Sequence, residues 1–247
     1  VARRSIVVVG SGFSGTLTAL HLLTESDQTA IQLVEKGPRF ARGAAYSTAD
    51  PDHLLNVRAC NMSAYPEAGD HFLDWLARRD GAPRADPFTF APRGVYGAYL
   101  QDQLRGALQS GAAANRLTLV QDEVIGISPD GGGFAVRLAM GRQVLADRVV
   151  VATGNGAPGP VTALRPEVAA SDAYAANPWA PGALDAVKPA DRVLLLGAGL
   201  SMVDVVASLD ARGHQGAVIA LSRRGLLPLA HARGHGQVQT AAARSGE

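Results

Sequence analysis

An α/β fold built on parallel strands is predicted by three features of the sequence. A β-branched run at residues 5–9 leads directly into a glycine-rich turn, Gly10-Ser11-Gly12-Phe13-Ser14-Gly15, and then into a helix-like stretch. The same arrangement returns later in the chain, in the same register. Between the two copies lie short strands spaced for an antiparallel meander.

Residues 5–9 (SIVVV) carry no long polar break and read as a buried strand. Leu17, Leu20, His21, Leu22 and Leu23 follow at helical spacing, and residues 31–34 form a second strand that ends on Glu35. Each glycine has its own task. Gly10 allows the tight strand-to-helix turn, Gly12 lets a pyrophosphate approach the backbone, and Gly15 lets helix and strand pack closely. The helix N-terminus supplies N–H groups and a partial positive charge for phosphates. Glu35 stands about twenty residues beyond Gly15, where a carboxylate can accept ribose hydroxyls. An acid there suits the unphosphorylated adenosine ribose of FAD or NAD and repels a 2′-phosphate. The unit is therefore read as a Rossmann-like βαβ site for FAD or NAD.

A shift of 187 residues superposes the second copy on the first without a gap. Residues 6–10 fall on 193–197, Gly12 on Gly199, and residues 31–34 on 218–221. Two such units mean two nucleotide sites, or one site and a vestige. Gly15 becomes Met202, so helix packing is expected to be looser in the second copy. Glu35 becomes Ser222, followed by Arg223 and Arg224. Loss of the acid and gain of guanidinium groups is how such a site accepts a 2′-phosphate, so the second site is read as preferring NADPH over NADH. A solvated basic turn is the alternative reading of the arginine pair.

Between the copies, Arg42 and Gly43 lie in a loop that continues from the second strand, placed to meet the FAD pyrophosphate. Residues 70–79 read as a short amphipathic helix with Phe72, Leu73 and Leu76 inward. Residues 95–108 read as a longer one, with Tyr96, Tyr99, Leu100, Gln103, Leu104 and Leu108 in one stripe. From Leu117 the period becomes that of strands. Residues 124–127, 134–138 and Val144 form the meander, and residues 147–151 a further strand ending in Ala152-Thr153-Gly154. Residues 158–189, rich in Pro and Ala, read as an irregular crossover.

Composition narrows the function. Apolar residues make up 47% and charged residues 18%, as in ordinary globular chains. A net charge of +1, from 23 basic and 22 acidic side chains, argues against nucleic-acid or anionic-membrane binding by bulk charge. The single cysteine, Cys60, excludes an internal disulfide and a cysteine-cluster metal site. His231 and His235 are too isolated to suggest a metal site, and none is expected. No stretch is long enough to span a bilayer and no signal peptide is visible, so a cytoplasmic location is the default expectation.

The order of parts resembles the two-dinucleotide-binding flavoproteins, which include glutathione-reductase-like enzymes and flavin monooxygenases. Three stretches carry a closer resemblance, to a bacterial family of FAD/NAD(P)-binding proteins. They are Gly43-Ala-Ala-Tyr46 with His53-Leu-Leu-Asn56-Val57 and Met62-Ser63, then Pro92-Arg93 with Tyr96-Gly97 and Tyr99, and last Ser222-Arg223-Arg224-Gly225-Leu226. That family is related to FAD-dependent urate hydroxylases and, more distantly, to flavin N-hydroxylases. The resemblance implies FAD at Gly10, Ser11, Gly12, Phe13, Ser14, Gly15, Glu35 and Lys36, with Arg42, Asn56, Met62, Val124, Thr153 and Gly154 also beside it. It implies NAD(P)H at Gly197, Gly199, Leu200, Ser201, Arg223 and Arg224.

The expected organisation is a FAD-binding domain over 1–157, a crossover over 158–190, a partial NAD(P)-binding domain over 191–236 and a polar tail over 237–247. Relatives continue beyond the second unit, so the chain is expected to be a truncated form. The expected parent activity is NADPH-dependent, FAD-dependent monooxygenation of a small molecule. Two alternatives stand beside it: a flavin-dependent reductase or dehydrogenase without oxygen activation, and a truncated, non-catalytic FAD/NAD(P)-binding module. In this class the flavin carries the chemistry, so no catalytic side chain is assigned. His53 reads as a neighbour of flavin or substrate, or as a structural hydrogen bonder. Cys60 reads as a buried thiol, since disulfide reductases need two cysteines. Arg93 reads as a phosphate ligand or a turn cap. The oligomeric state is left open.

Overall fold

The computed structural model describes residues 3–79, 86–156, 158, 159, 161 and 164–229. The chain opens with strand β1 (Arg4–Val9), helix α1 (Phe13–Glu25) and strand β2 (Thr29–Glu35). A one-turn 3₁₀ segment (Ala59–Asn61) precedes α2 (His71–Ala77), α3 (Arg93–Gln109) and the short α4 (Gly111–Ala114). Five strands follow: β3 (Leu117–Gln121), β4 (Val124–Asp130), β5 (Gly133–Leu138), β6 (Gln143–Ala146) and β7 (Arg148–Val151). The last elements are the short α5 (Pro166–Ala169), then β8 (Val193–Leu196), α6 (Leu200–Ala211) and β9 (Val218–Leu221).

The main sheet has the order β3-β2-β1-β7, with every pair parallel. Parallel neighbours need a crossover, which α1 supplies between β1 and β2. Alternation along the strands then sends side chains to two faces. Val8, Ile31 and Leu33 face one core with Ala19, Leu20 and Leu23 of α1 and with Tyr96, Tyr99, Leu100 and Leu104 of α3. Val7, Val9 and Val34 face the other, against Val136, Leu138, Val144 and Ala146 of the meander. That meander is the antiparallel sheet β4-β5-β6, with the register slipping between Val124 and Gly126. The result is the three-layer Rossmann-like architecture: helices, parallel sheet, meander.

Strands β8 and β9 form a separate two-stranded parallel sheet. The 187-residue repeat holds at the level of single hydrogen bonds. Gly10 N–H donates to the Val34 carbonyl at 2.8 Å, and Gly197 N–H to the Leu221 carbonyl at 2.8 Å. Ile6 pairs with Ile31, and Val193 with Val218. Among the described residues, the second unit is a smaller Rossmann-like βαβ unit. The tail at 237–247 and the isolated His231 and His235 lie outside the described residues.

Candidate cofactor-binding site

The first glycine loop closes on itself as its residue types require. Gly10 adopts φ +93°, a left-handed conformation that favours glycine. A Cβ there would lie 2.9 Å from the Ala152 carbonyl carbon, so the end of β7 packs directly on the turn. A Cβ on Gly15 would overlap the Gly10 carbonyl oxygen, which is why α1 can approach β1 only with glycine there. Gly12 is different. It is the N-cap of α1 in ordinary extended backbone, no side chain caps the helix, and an added Cβ would meet only the Gly43 Cα, at 3.6 Å. Gly12 and Gly43 thus face each other across a backbone-lined cleft at an uncapped helix N-terminus. A pyrophosphate fits such a cradle, because free backbone N–H groups and the helix dipole favour an anion and nothing bulky blocks it.

Glu35 stands beside the loop at the end of β2. Its Oε2 accepts hydrogen bonds from Ser11 N–H at 2.8 Å and Ser11 Oγ at 3.0 Å, and its Oε1 accepts from Gly37 N–H at 2.9 Å. A carboxylate offers about four acceptor positions, so one on Oε1 is left for a ribose hydroxyl. The Ser11 hydroxyl, which can rotate, is the only one of the three protein donors able to yield a second. Ser11 is fully buried beneath the loop.

The remaining predicted FAD residues divide into two groups. Gly43 and Thr153 are brought to the loop, Gly43 by its contact with Gly12 and Thr153 by its seat on Gly10, while Gly154 follows with φ +69° and open space around it. Phe13 and Ser14 open the helix, with the Phe13 ring 6.2 Å from Tyr46 and 6.1 Å from Tyr96. The others have varied surroundings. Arg42 turns toward α3, donating to Gln101 Oε1 at 3.0 Å and to the Tyr46 carbonyl at 3.3 Å. Burial and the neighbouring Arg39 charge lower its pKa. Lys36 pairs with Glu123 at 3.7 Å on the surface. Asn56 is exposed in its loop, Met62 is half-buried against the first core, and Val124 packs on the second. A surface depression bounded by Pro129, Phe134 and Arg148 lies at the β4–β5 turn and contains no predicted site residue.

The second loop repeats the backbone of the first. Gly197 has φ +113° and Gly199 caps α6 in the same extended conformation as Gly12. Leu200 and Ser201 begin the helix, exposed. Gly197 stands more open than Gly10: a Cβ on it would meet no atom within 4 Å, whereas one on Gly10 would run into the Ala152–Thr153 segment that follows β7. Arg223 and Arg224 are exposed in the turn that directly follows β9, where Glu35 ends β2 in the first unit.

A polar seam joins the two units. Arg93 is neither a turn cap nor free for a phosphate: its Nη2 lies 3.0 Å from Asp204 Oδ2 on α6, as an ion pair off the line of a straight hydrogen bond. Its Nε donates to the Leu54 carbonyl at 2.8 Å, and its guanidinium lies 5.3 Å from the centre of the Trp179 ring. Both charges of the pair are shielded, with 15% and 9% of their side chains exposed. Burial raises the Asp204 pKa more than Arg93 and His53 lower it. His53 is a structural hydrogen bonder, with Nδ1 2.8 Å from Thr48 Oγ1 and Nε2 2.8 Å from Ser208 Oγ. Ser208 Oγ in turn donates to Asp50 Oδ2 at 2.6 Å. Burial acts to raise the Asp50 pKa, but hydrogen bonds from Ser208 and Asp52 and the charges of His53 and Arg212 bring it below the ordinary value. The one signal in the sequence was Asp204 and Ser208, four residues apart and so on one face of α6, beside Val205 and Leu209. Cys60 is a free thiol, half-buried rather than buried.

Among the described residues no group of His, Cys, Asp and Glu could hold a metal ion, and no helix is long and apolar enough to cross a membrane. No curated protein matches the chain. Among solved structures, the chain is similar in fold to cyclohexanone monooxygenase in its closed form, at 18% identity and a TM-score of 0.57 over 90% of this chain and 39% of that one. A flavin monooxygenase from Stenotrophomonas maltophilia matches at 19% identity and TM-score 0.54, over 89% and 57%. OTEMO, in complex with FAD and NADP, matches at 16% and 0.56, over 89% and 39%. The chain thus spans roughly two-fifths to three-fifths of the length of these proteins. A family model described as FAD-NAD(P)-binding matches residues 7–156, well over half the chain. By that match the chain belongs to the FAD-NAD(P)-binding family, and FAD and a nicotinamide dinucleotide are its cofactors.

Proposed function

We propose that this chain is the dinucleotide-binding part of an FAD-dependent oxidoreductase that takes reducing equivalents from NADPH and hydroxylates a small molecule. The observation that carries the reading is the pair of glycine loops with opposite chemistry after their second strands. Glu35 closes the first, and Arg223 with Arg224 closes the second. Gly12 and Gly43 would line the cleft for the FAD pyrophosphate, in a loop whose shape Gly10 and Gly15 permit, and Glu35 would accept a ribose hydroxyl. Gly197, Gly199 and the α6 N-terminus would hold the nicotinamide dinucleotide, with the arginines taking its 2′-phosphate. FAD when bound supplies the redox chemistry, accepting hydride and passing electrons to oxygen or another acceptor. The part of this chain is to bind, orient and shield the two cofactors. The division we propose runs 1–157 for FAD, 158–190 for the crossover, 191–236 for NAD(P) and 237–247 for the tail.

The fold likeness to monooxygenases favours hydroxylation over simple reductase activity. The test is anaerobic bleaching of bound flavin by NADPH and by NADH, followed by admission of air. The reading expects NADPH to be preferred, and the Arg223→Ala, Arg224→Ala double variant to lose that preference by about tenfold. Equal rates with both nucleotides in the parent chain would remove the NADPH assignment. No bleaching by either would leave an FAD-binding module.

A further inference from the structure

The seam between the units is not needed to build either glycine loop, and its chemistry is unusual for a permanent helix contact. Helix α6 presents Asp204 and Ser208 on its buried face, with Val205 and Leu209 beside them. At the equivalent positions α1 carries Leu17 and His21. Apolar residues would bind α6 more firmly at less cost, because each buried polar group must be matched in both direction and charge. Here the matching is directional. The Ser208 hydroxyl gives its proton to Asp50, so His53 Nε2–H donates to Ser208, while His53 Nδ1 lies 2.8 Å from the Thr48 hydroxyl. Asp50 and His53 belong to the loop that leads into Asn56 and Met62. Arg93 begins α3, whose Gly94 and Gly97 lie against the loop that follows Gly43. Trp179, from the crossover, lies on Arg93 and edge-on to His53, at 5.3 and 5.4 Å. Inter-unit contacts of this polar, hydrogen-bonded kind are those that can part and re-form.

We propose that Asp204 and Ser208, held by Arg93, His53 and Asp50 under Trp179, form a releasable latch that sets where the second glycine loop stands relative to the first. These are positioning residues, and their role as such rests on the reading of the two loops as FAD and NADPH sites. The latch itself is tested without either cofactor. In a Trp75→Phe background Trp179 is the only tryptophan, since the chain has 2. Both Asp204→Asn and Ser208→Ala are expected to raise acrylamide quenching of Trp179 about twofold and to shift its emission to the red, with far-UV circular dichroism unchanged. With cofactors, FAD affinity is expected to hold while flavin reduction at saturating NADPH slows about tenfold. Unchanged Trp179 quenching in the variants overturns the latch, whatever happens to the rate. Should Asp204→Asn fail to fold, Ser208→Ala decides alone, since it removes a single hydroxyl. Failure of NADPH to bleach flavin in the parent chain defeats the cofactor reading and leaves the fluorescence result to judge the latch.

Discussion

The three glycines of the first loop do different work, and single substitutions separate that work. Gly10 and Gly15 are structural, because a Cβ at either would run into backbone. Gly12 has ordinary φ and an open space before it. We expect Gly15→Ala to destabilise the protein by about 3 kcal/mol in urea unfolding. Gly12→Ala should shift that stability by no more than about 0.5 kcal/mol, yet weaken FAD at least tenfold in a fluorescence titration. A large loss of stability in Gly12→Ala would mean the cleft is not the open cradle described. Much at this scale was legible in the sequence, since glycine spacing, a terminal acid and a paired arginine are properties of residue type and order. The orientation of Arg42 was not. Nothing in its neighbours signals that Gln101, on a distant helix, competes for its guanidinium.

Helix α3 shows how an element supports the first unit from its core. Its aromatic stripe was readable from helical spacing, and Tyr96 and Tyr99 are fully buried against Phe72 of α2. Tyr99 also carries polar work: its Oη accepts from Ala64 N–H at 3.1 Å and is 2.7 Å from His71 Nδ1. Tyr99→Phe leaves that N–H unpaired and is expected to cost about 1–2 kcal/mol. Burial pushes the Tyr99 phenol up to about 12, and Tyr96 higher still, from an ordinary 10.0. The folded protein therefore holds more protons than the unfolded chain in this range. The stability linked to Tyr99 is complete below pH 10.0 and is lost as pH rises through about 12, and the loss linked to Tyr96 continues above that. Tyrosinate absorbance should rise together with the loss of far-UV circular dichroism in that window. Ionisation well before unfolding would contradict the packing.

At the scale of the whole molecule, the two units were both foreseen but their junction was not. The repeat follows from a uniform offset along the chain. The seam joins residues such as His53 and Ser208, 155 positions apart, through hydrogen-bond directions that no local pattern encodes. The second unit also leaves apolar surface open: Leu194 is 58% exposed and Leu221 59%. Open apolar strands associate, so sedimentation is expected to show concentration-dependent assembly that Leu194→Lys reduces. Competition binding at the first unit shows which half of FAD the glycine loop reads. If the glycine loop and Glu35 read the adenosine diphosphate half of FAD, then FAD binds, ADP displaces it, FMN binds far more weakly, and Glu35→Ala loses FAD while staying folded. If FAD and FMN bind equally, or ADP fails to compete, the loop is not the site and the account is wrong.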